Sequence, residues 1–141
     1  MTVSGDPSDS PLVVLSDRQD LPTDHQTLID LARRTLDAEG AGPVELSVSL
    51  VSEGEMTELH RRYLHEAGPT DVLSFTMDEE GLLGDVVICP AVASAQREDL
   101  EAELRLLLVH GILHLLGYDH QQEAERRAMW VRQERYSGVS A

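Results

Sequence analysis

The chain has almost nothing to brace it covalently. Its 141 residues include one cysteine, Cys89, so an internal disulfide framework is excluded and a reducing compartment is suited. Lysine is absent, and all 11 basic residues are arginine. Arginine is the better fork for phosphate oxygens, although a compositional bias of the genome produces the same pattern. Long apolar runs are missing too. The longest, Leu106 to Leu116, is broken by two histidines and a glycine and is too short to cross a bilayer. No basic region followed by an apolar run opens the sequence, so no secretory signal and a cytoplasmic location are expected. Positive charge is scarce: 26 acidic residues give a formal net charge of −15. Such a surface repels a polyanion at long range. The imbalance is uneven, however. Residues 1–50 carry three Arg and nine acids, whereas residues 110–141 carry four of each.

What is present describes an ordinary globular chain. It is 41% hydrophobic and 26% charged, and its length fits one domain with one real core. Residues 1–10, rich in Ser, Asp, Gly and Pro, read as a loose tail ahead of a single domain over residues 11–141. Leu12 to Leu15 fits a strand. Asp24 fits a helix start, followed by Leu28, Leu31, Ala32 and Leu36 at helical spacing and by Gly40 at the end. Val44, Leu46, Val48 and Leu50 alternate with polar residues, the period of a half-buried strand. Ser52 and Glu55 form a capping box that opens a helix to about Leu64. Val72 to Met77 and Leu82 to Cys89 read as an antiparallel pair around a turn at Asp78 to Gly81, with Pro90 as the stop. Ala91 to Gln96 reads as a short helix, and Asp99 starts a long one to about Leu116 that Gly117 caps. Gln121 to Tyr136 reads as a last, charged helix. The order β-α-β-α-β-β-α-α-α predicts an α+β fold. Its mixed β-sheet of about four strands packs with about five helices.

The most informative segment runs from His110 to His120. His110 and His114 are four apart on the long helix, so both rings leave one face. Such a pair on an apolar helix also serves as satisfied core groups. The third histidine changes the balance: Gly117 ends the helix and lets the chain double back, so that His120 can approach the same point. Three neutral imidazoles at ~2.0–2.1 Å suit one Zn²⁺ ion and leave its fourth position open, as in a catalytic site. The remaining histidines, His25, His60 and His65, fit no ligand spacing. In HExxH proteases a Glu follows the first histidine as general base; here that position is Gly111, so the helix offers no such carboxylate.

The run His110-Gly111-Ile112-Leu113-His114-Leu115-Leu116-Gly117-Tyr118-Asp119-His120 closely resembles the signature of the YbeY family of bacterial rRNA maturation factors. Pro69 to Phe75 resembles that family's strand entry, and Leu83 to Ile88 its next strand. The resemblance spans about residues 46–136. It implies a cytoplasmic, single-strand-specific metallo-endoribonuclease of 16S rRNA 3′-end maturation and ribosome quality control. It also implies zinc on His110, His114 and His120, in an α+β fold with the metal on its long central helix. The implied partners are rRNA and the small ribosomal subunit, with a small-subunit ribosomal protein or the assembly GTPase Era, and no membrane.

One departure from the family pattern bears on the site. Many members carry an Arg after the tyrosine that corresponds to Tyr63, where this chain has Leu64. Arg61 and Arg62 on the same helix are candidate phosphate contacts in its place, or solvated helix-face charges. Asp85, a carboxylate inside an apolar strand run, is the remaining candidate catalytic residue. It could orient a ligand histidine, accept a proton from water, or serve the backbone at the strand's start. The resulting expectation places RNA in a groove between the metal helix and Pro69 to Phe75. Arg61, Arg62 or the Arg126-Arg127 pair would hold its backbone. Two rivals remain at this point. One is a metallopeptidase, opposed by Gly111; the other is a non-enzymatic, zinc-stabilised ribosome assembly factor, favoured by the acidic surface.

Overall fold

The computed structural model describes residues 10–77, 79–118 and 122–140. The expected N-terminal tail falls almost wholly outside them, as do Asp78, Asp119, His120 and Gln121.

Among the described residues four strands and five helices follow in the expected order: β1 (Leu12–Arg18), α1 (His25–Ala38), β2 (Glu45–Val51), α2 (Glu53–Leu64), β3 (Val72–Thr76), β4 (Leu82–Ile88), α3 (Pro90–Gln96), α4 (Leu100–Leu115) and α5 (Glu123–Ser137). The sheet order is β1-β2-β4-β3. The pairs β1/β2 and β2/β4 are parallel, and β3/β4 is antiparallel, so the sheet is mixed and β3 is an edge. Helices α1, α2 and α4 each start where a side-chain oxygen can take an orphan amide, whereas α5 starts at Gln122 with no side-chain cap. Asp24 accepts from Thr27 N, Ser52 from Glu55 N, and Asp99 from Ala102 N. The capping box at Ser52 is half made. The Glu55 carboxylate turns instead to the Arg18 guanidinium, at 2.7 Å from Nη2 and 3.2 Å from Nε. Strand β1 runs three residues past its expected end at Leu15. Parallel pairing holds Ser16 through Arg18 against Ser49 through Val51, although the local hydrophobic pattern has ended.

The sheet is covered unequally on its two faces. Val13, Leu46, Val48, Leu50, Val86 and Ile88 point to one face, where Leu28, Leu31 and Leu36 of α1, Leu104, Leu108 and Ile112 of α4, and Met129 of α5 close the main core. Val51, Leu73, Val87 and Cys89 point to the other, under Met56 of α2. Eleven of the sixteen residues of α4 are buried, among them the expected Leu104, Leu107, Leu108 and Leu115. A helix apolar nearly all round belongs at the centre of a fold and has little freedom to move there. No helix among the described residues is long and apolar enough to cross a membrane.

Candidate metal centre

Between Leu106 and Leu115 every residue of α4 is buried except His110 and His114, which are half-exposed. Over that stretch the two rings are the positions that reach past an otherwise buried surface. Their centroids are 5.1 Å apart and their planes meet at 71°. An ion ~2.0–2.1 Å from one nitrogen of each ring lies about 3.2 Å from each centroid, and a tetrahedral angle then sets the centroids about 5.2 Å apart. The observed pair fits that requirement.

A partner on α5 fixes one of the rings. His110 Nδ1 lies 2.9 Å from Oε1 of Gln133, a side chain only 6% exposed. Carbonyl oxygen accepts and cannot donate, so with Oε1 as the partner Nδ1 is the donor, and in the neutral ring Nε2 then keeps the lone pair. Orienting a ligand imidazole through its other nitrogen is the usual way a protein sets tautomer and ring angle. Nothing in the sequence pattern drew attention to Gln133. Its signal was there: an uncharged amide in a charged helix, four residues from Met129 and from Ser137, on the stripe that faces inward. His120, the third expected ligand, lies outside the described residues, and among those residues no third metal-ligating side chain joins the pair.

Position 111 carries a message different from the one its sequence context suggested. Gly111 faces the sheet, and a Cβ built there would lie 2.6 Å from Val86 Cγ1 and 3.1 Å from Ser74 Oγ. Ser74 of β3 donates its hydroxyl proton to the Gly111 carbonyl at 3.2 Å. A glutamate at 111 would be driven into Val86 rather than toward a metal. With no side chain at 111, β3 and α4 approach to hydrogen-bonding distance there.

The end of α4 is held as firmly as its middle. Gly117 has φ +101°, and Gly117 N and Tyr118 N donate to the His114 and Leu113 carbonyls at 3.0 Å each. This is a Schellman closure, which needs a left-handed residue where Gly117 stands. Tyr118 then donates its hydroxyl to Glu39 Oε1 at 2.5 Å. Tyr136 donates to Glu39 Oε2, which Arg132 Nε also approaches at 3.3 Å. Burial alone would raise the Glu39 pKa, but the two phenols and Arg132 outweigh it and hold the carboxyl below its ordinary range. One half-buried carboxylate at the end of α1 thus ties the exit of α4 to the helix that carries Gln133.

The other candidates lie elsewhere. Asp85 alternates with Val86, so it points away from α4, to the face that α2 covers. There it lines a cleft of about 400 Å³ with Arg18, Glu55, Tyr63 and Phe75. Ser49 donates its hydroxyl to Asp85 at 3.4 Å. Burial raises the Asp85 pKa above the ordinary value, against the lowering effect of the Ser47 and Ser49 hydroxyls and of Arg18. The reading of Asp85 as the acceptor that orients a ligand histidine is therefore corrected: the sheet stands between them. Arg61 and Arg62 also sit on α2, exposed, with Glu58 at 2.5 Å and 3.8 Å. The fold does not gather them with the histidine pair. His25 meets Asp17 at 2.7 Å, and His60 bridges Gly68 O and Glu66; neither approaches α4. Cys89 is wholly buried, as a small core residue should be, and burial raises its thiol pKa.

Comparison with known proteins places the fold in a family. The family described as Endoribonuclease YbeY matches residues 14–138. The endoribonuclease YbeY of Acidothermus cellulolyticus is 46% identical over 86% of this chain and 86% of that protein. Its counterpart in Thermobifida fusca is 50% identical over 78% of this chain and 81% of its own length. The solution structure of TM1509 from Thermotoga maritima superimposes with a TM-score of 0.64 and 29% identity, covering 89% of this chain and 87% of that one. With the match running from β1 through α5 and across the paired histidines, the chain belongs to the endoribonuclease YbeY family.

Proposed function

We propose that this protein is a zinc-dependent endoribonuclease that cuts single-stranded RNA, acting on the 3′ end of 16S rRNA and in ribosome quality control. The observation that carries the hydrolytic reading is the His110–His114 pair, spaced for one ion, with the His110 tautomer set by Gln133. His110, His114 and, by the family signature, His120 would hold the metal. When bound, zinc supplies hydroxide near neutral pH and Lewis acidity toward a phosphoryl oxygen. The chain's own residues do the rest. Gln133 holds the His110 ring in the ligating tautomer. Ser74 and Gly111 seat α4 against the sheet, so the two imidazoles keep a fixed separation. The Glu39 knot anchors Tyr118, two residues before His120. Position 111 leaves no room for a general-base carboxylate, which counts against the peptidase reading.

The proposed setting is the cytoplasm, with rRNA, the small subunit, one of its proteins or the GTPase Era as partners. The net charge of −15 supports a basic protein partner, since naked RNA meets repulsion at long range. The test is incubation of metal-loaded protein with single-stranded and duplex RNA, with and without chelator, beside His114→Ala. Cutting of the single strand alone, lost on chelation and in the variant, is expected. Cutting that survives both would overturn the metal mechanism, and no cutting by loaded wild type would favour the non-enzymatic assembly factor.

A further inference from the structure

Trp130 is the chain's one tryptophan, and 54% of it is exposed, beside a Val131 that is 53% exposed. Leaving the largest apolar side chain in water forfeits stability that burial would give. Arg126 lies against it, its Cζ 5.7 Å from the ring centroid. Both residues lie on α5, the helix whose Gln133 holds His110. Helices α4 and α5 run antiparallel: Arg105 donates to Ser137 O, His110 meets Gln133, and Leu116 to Tyr118 share a pocket with Ala124, Glu125 and Ala128. At 100° per residue, Arg126, Trp130 and Gln133 fall within about 60° of one another around the α5 axis. Moving from Gln133 to Trp130 and Arg126 therefore follows α4 from His110 past His114.

We propose that the Trp130–Arg126 edge of α5 is a stacking platform for an unpaired nucleobase of the RNA strand that passes the histidine pair. The proposal rests on the ribonuclease reading above and deepens it. A chain of net charge −15 cannot rely on phosphate attraction, whereas base stacking on an aromatic face is tolerant of sequence and needs no excess positive charge. Arg126 extends the platform as a planar cation in the near-neutral C-terminal part of the chain. Bases inside a duplex are already stacked on each other and cannot reach Trp130. Preference for single strands then follows from the platform itself.

The lone tryptophan is its own probe. Metal-loaded wild type is titrated with a short 2′-O-methyl-RNA single strand, with the same strand in duplex, and with an abasic strand of equal length. Intrinsic fluorescence should change saturably with the first alone. In cleavage of single-stranded RNA, Trp130→Ala should raise KM about 5- to 150-fold, the range for loss of one stacked base, with kcat little changed. Trp130→Phe should recover most of the loss. Fluorescence unmoved by the 2′-O-methyl strand, while wild type cleaves unmodified RNA of the same sequence, would overturn the platform, as would an unchanged KM in Trp130→Ala. An equal response to the abasic strand would reduce it to a phosphate contact, and a response to rising protein concentration alone would make it a face between two copies; either result overturns the proposal. Wild type that neither binds nor cuts RNA removes the ribonuclease reading itself.

Discussion

Gly111→Ala adds one methyl group at the point where α4 meets the sheet. The new Cβ would lie 2.6 Å from Val86 Cγ1 and 3.1 Å from both Val86 Cγ2 and Ser74 Oγ. Carbon atoms in contact sit about 3.5–4.0 Å apart, so the shortfall is about 1 Å. Val86 is wholly buried and β-branched, hence unable to swing aside. The helix must lift instead, and overpacking of this kind costs about 1–3 kcal/mol. Alanine's helix propensity returns about 1 kcal/mol. At a site this closed the upper end applies, which leaves a net loss of about 2 kcal/mol. The same change made on top of Val86→Ala meets no valine methyl groups and only the 3.1 Å approach of the Ser74 hydroxyl, which can rotate away, so a gain of up to about 1 kcal/mol from propensity should remain. The two changes should therefore couple by about 3 kcal/mol. Urea unfolding of wild type, both single variants and the double variant measures this directly. Equal effects of Gly111→Ala in the two backgrounds, within about 0.5 kcal/mol, would refute the close-approach account of this glycine.

Three further outcomes are expected. Gln133→Leu releases the His110 tautomer and should weaken zinc binding about 10- to 100-fold in competition with a chromophoric chelator, and affinity within two-fold or so of wild type would refute its role. Glu39→Gln removes the charge that Tyr118, Tyr136 and Arg132 share and should cost about 1.5–3 kcal/mol at neutral pH. The Glu39 carboxyl sits below its ordinary value of 4.5, so its contribution is complete above that pH and is lost as pH falls through the lower folded value. The stability gap between Glu39→Gln and wild type should accordingly close in acid, and a gap independent of pH would count against the knot. Asp85 has the opposite sign. Its pKa is raised above 3.8 by burial, so the ionised form costs stability once pH exceeds the folded value. Asp85→Asn should melt higher than wild type at neutral pH and lose that advantage in acid; a lower melting temperature at pH 7 would contradict the desolvated carboxylate.

The sequence by itself determined the local structure and half of the site. Caps at Asp24, Ser52 and Asp99 and the apolar spacing of α4 are short-range signals that the chain obeys, whereas the half-buried alternation read for β2 holds only to Val48, because Ser49 and Val51 are buried as well once α2 covers the second face. The pairing of His110 with His114 follows from helical period alone, because residues four apart share a face whatever the helix packs against. Sidedness is another matter. Alternation along β4 says that Asp85 and Val86 face opposite ways, but not which of them α4 covers. That choice is made by the larger apolar set on the Val86 face, which takes three helices and leaves α2, with Arg61 and Arg62, on the other. Gly111 reads in sequence as an absent general base, yet only the approach of β3 and β4 gives it its reason. Gln133 stands 23 residues from His110, and Glu39 stands 79 from Tyr118. Contacts of that span depend on how whole layers dock, and no periodicity in the chain encodes them.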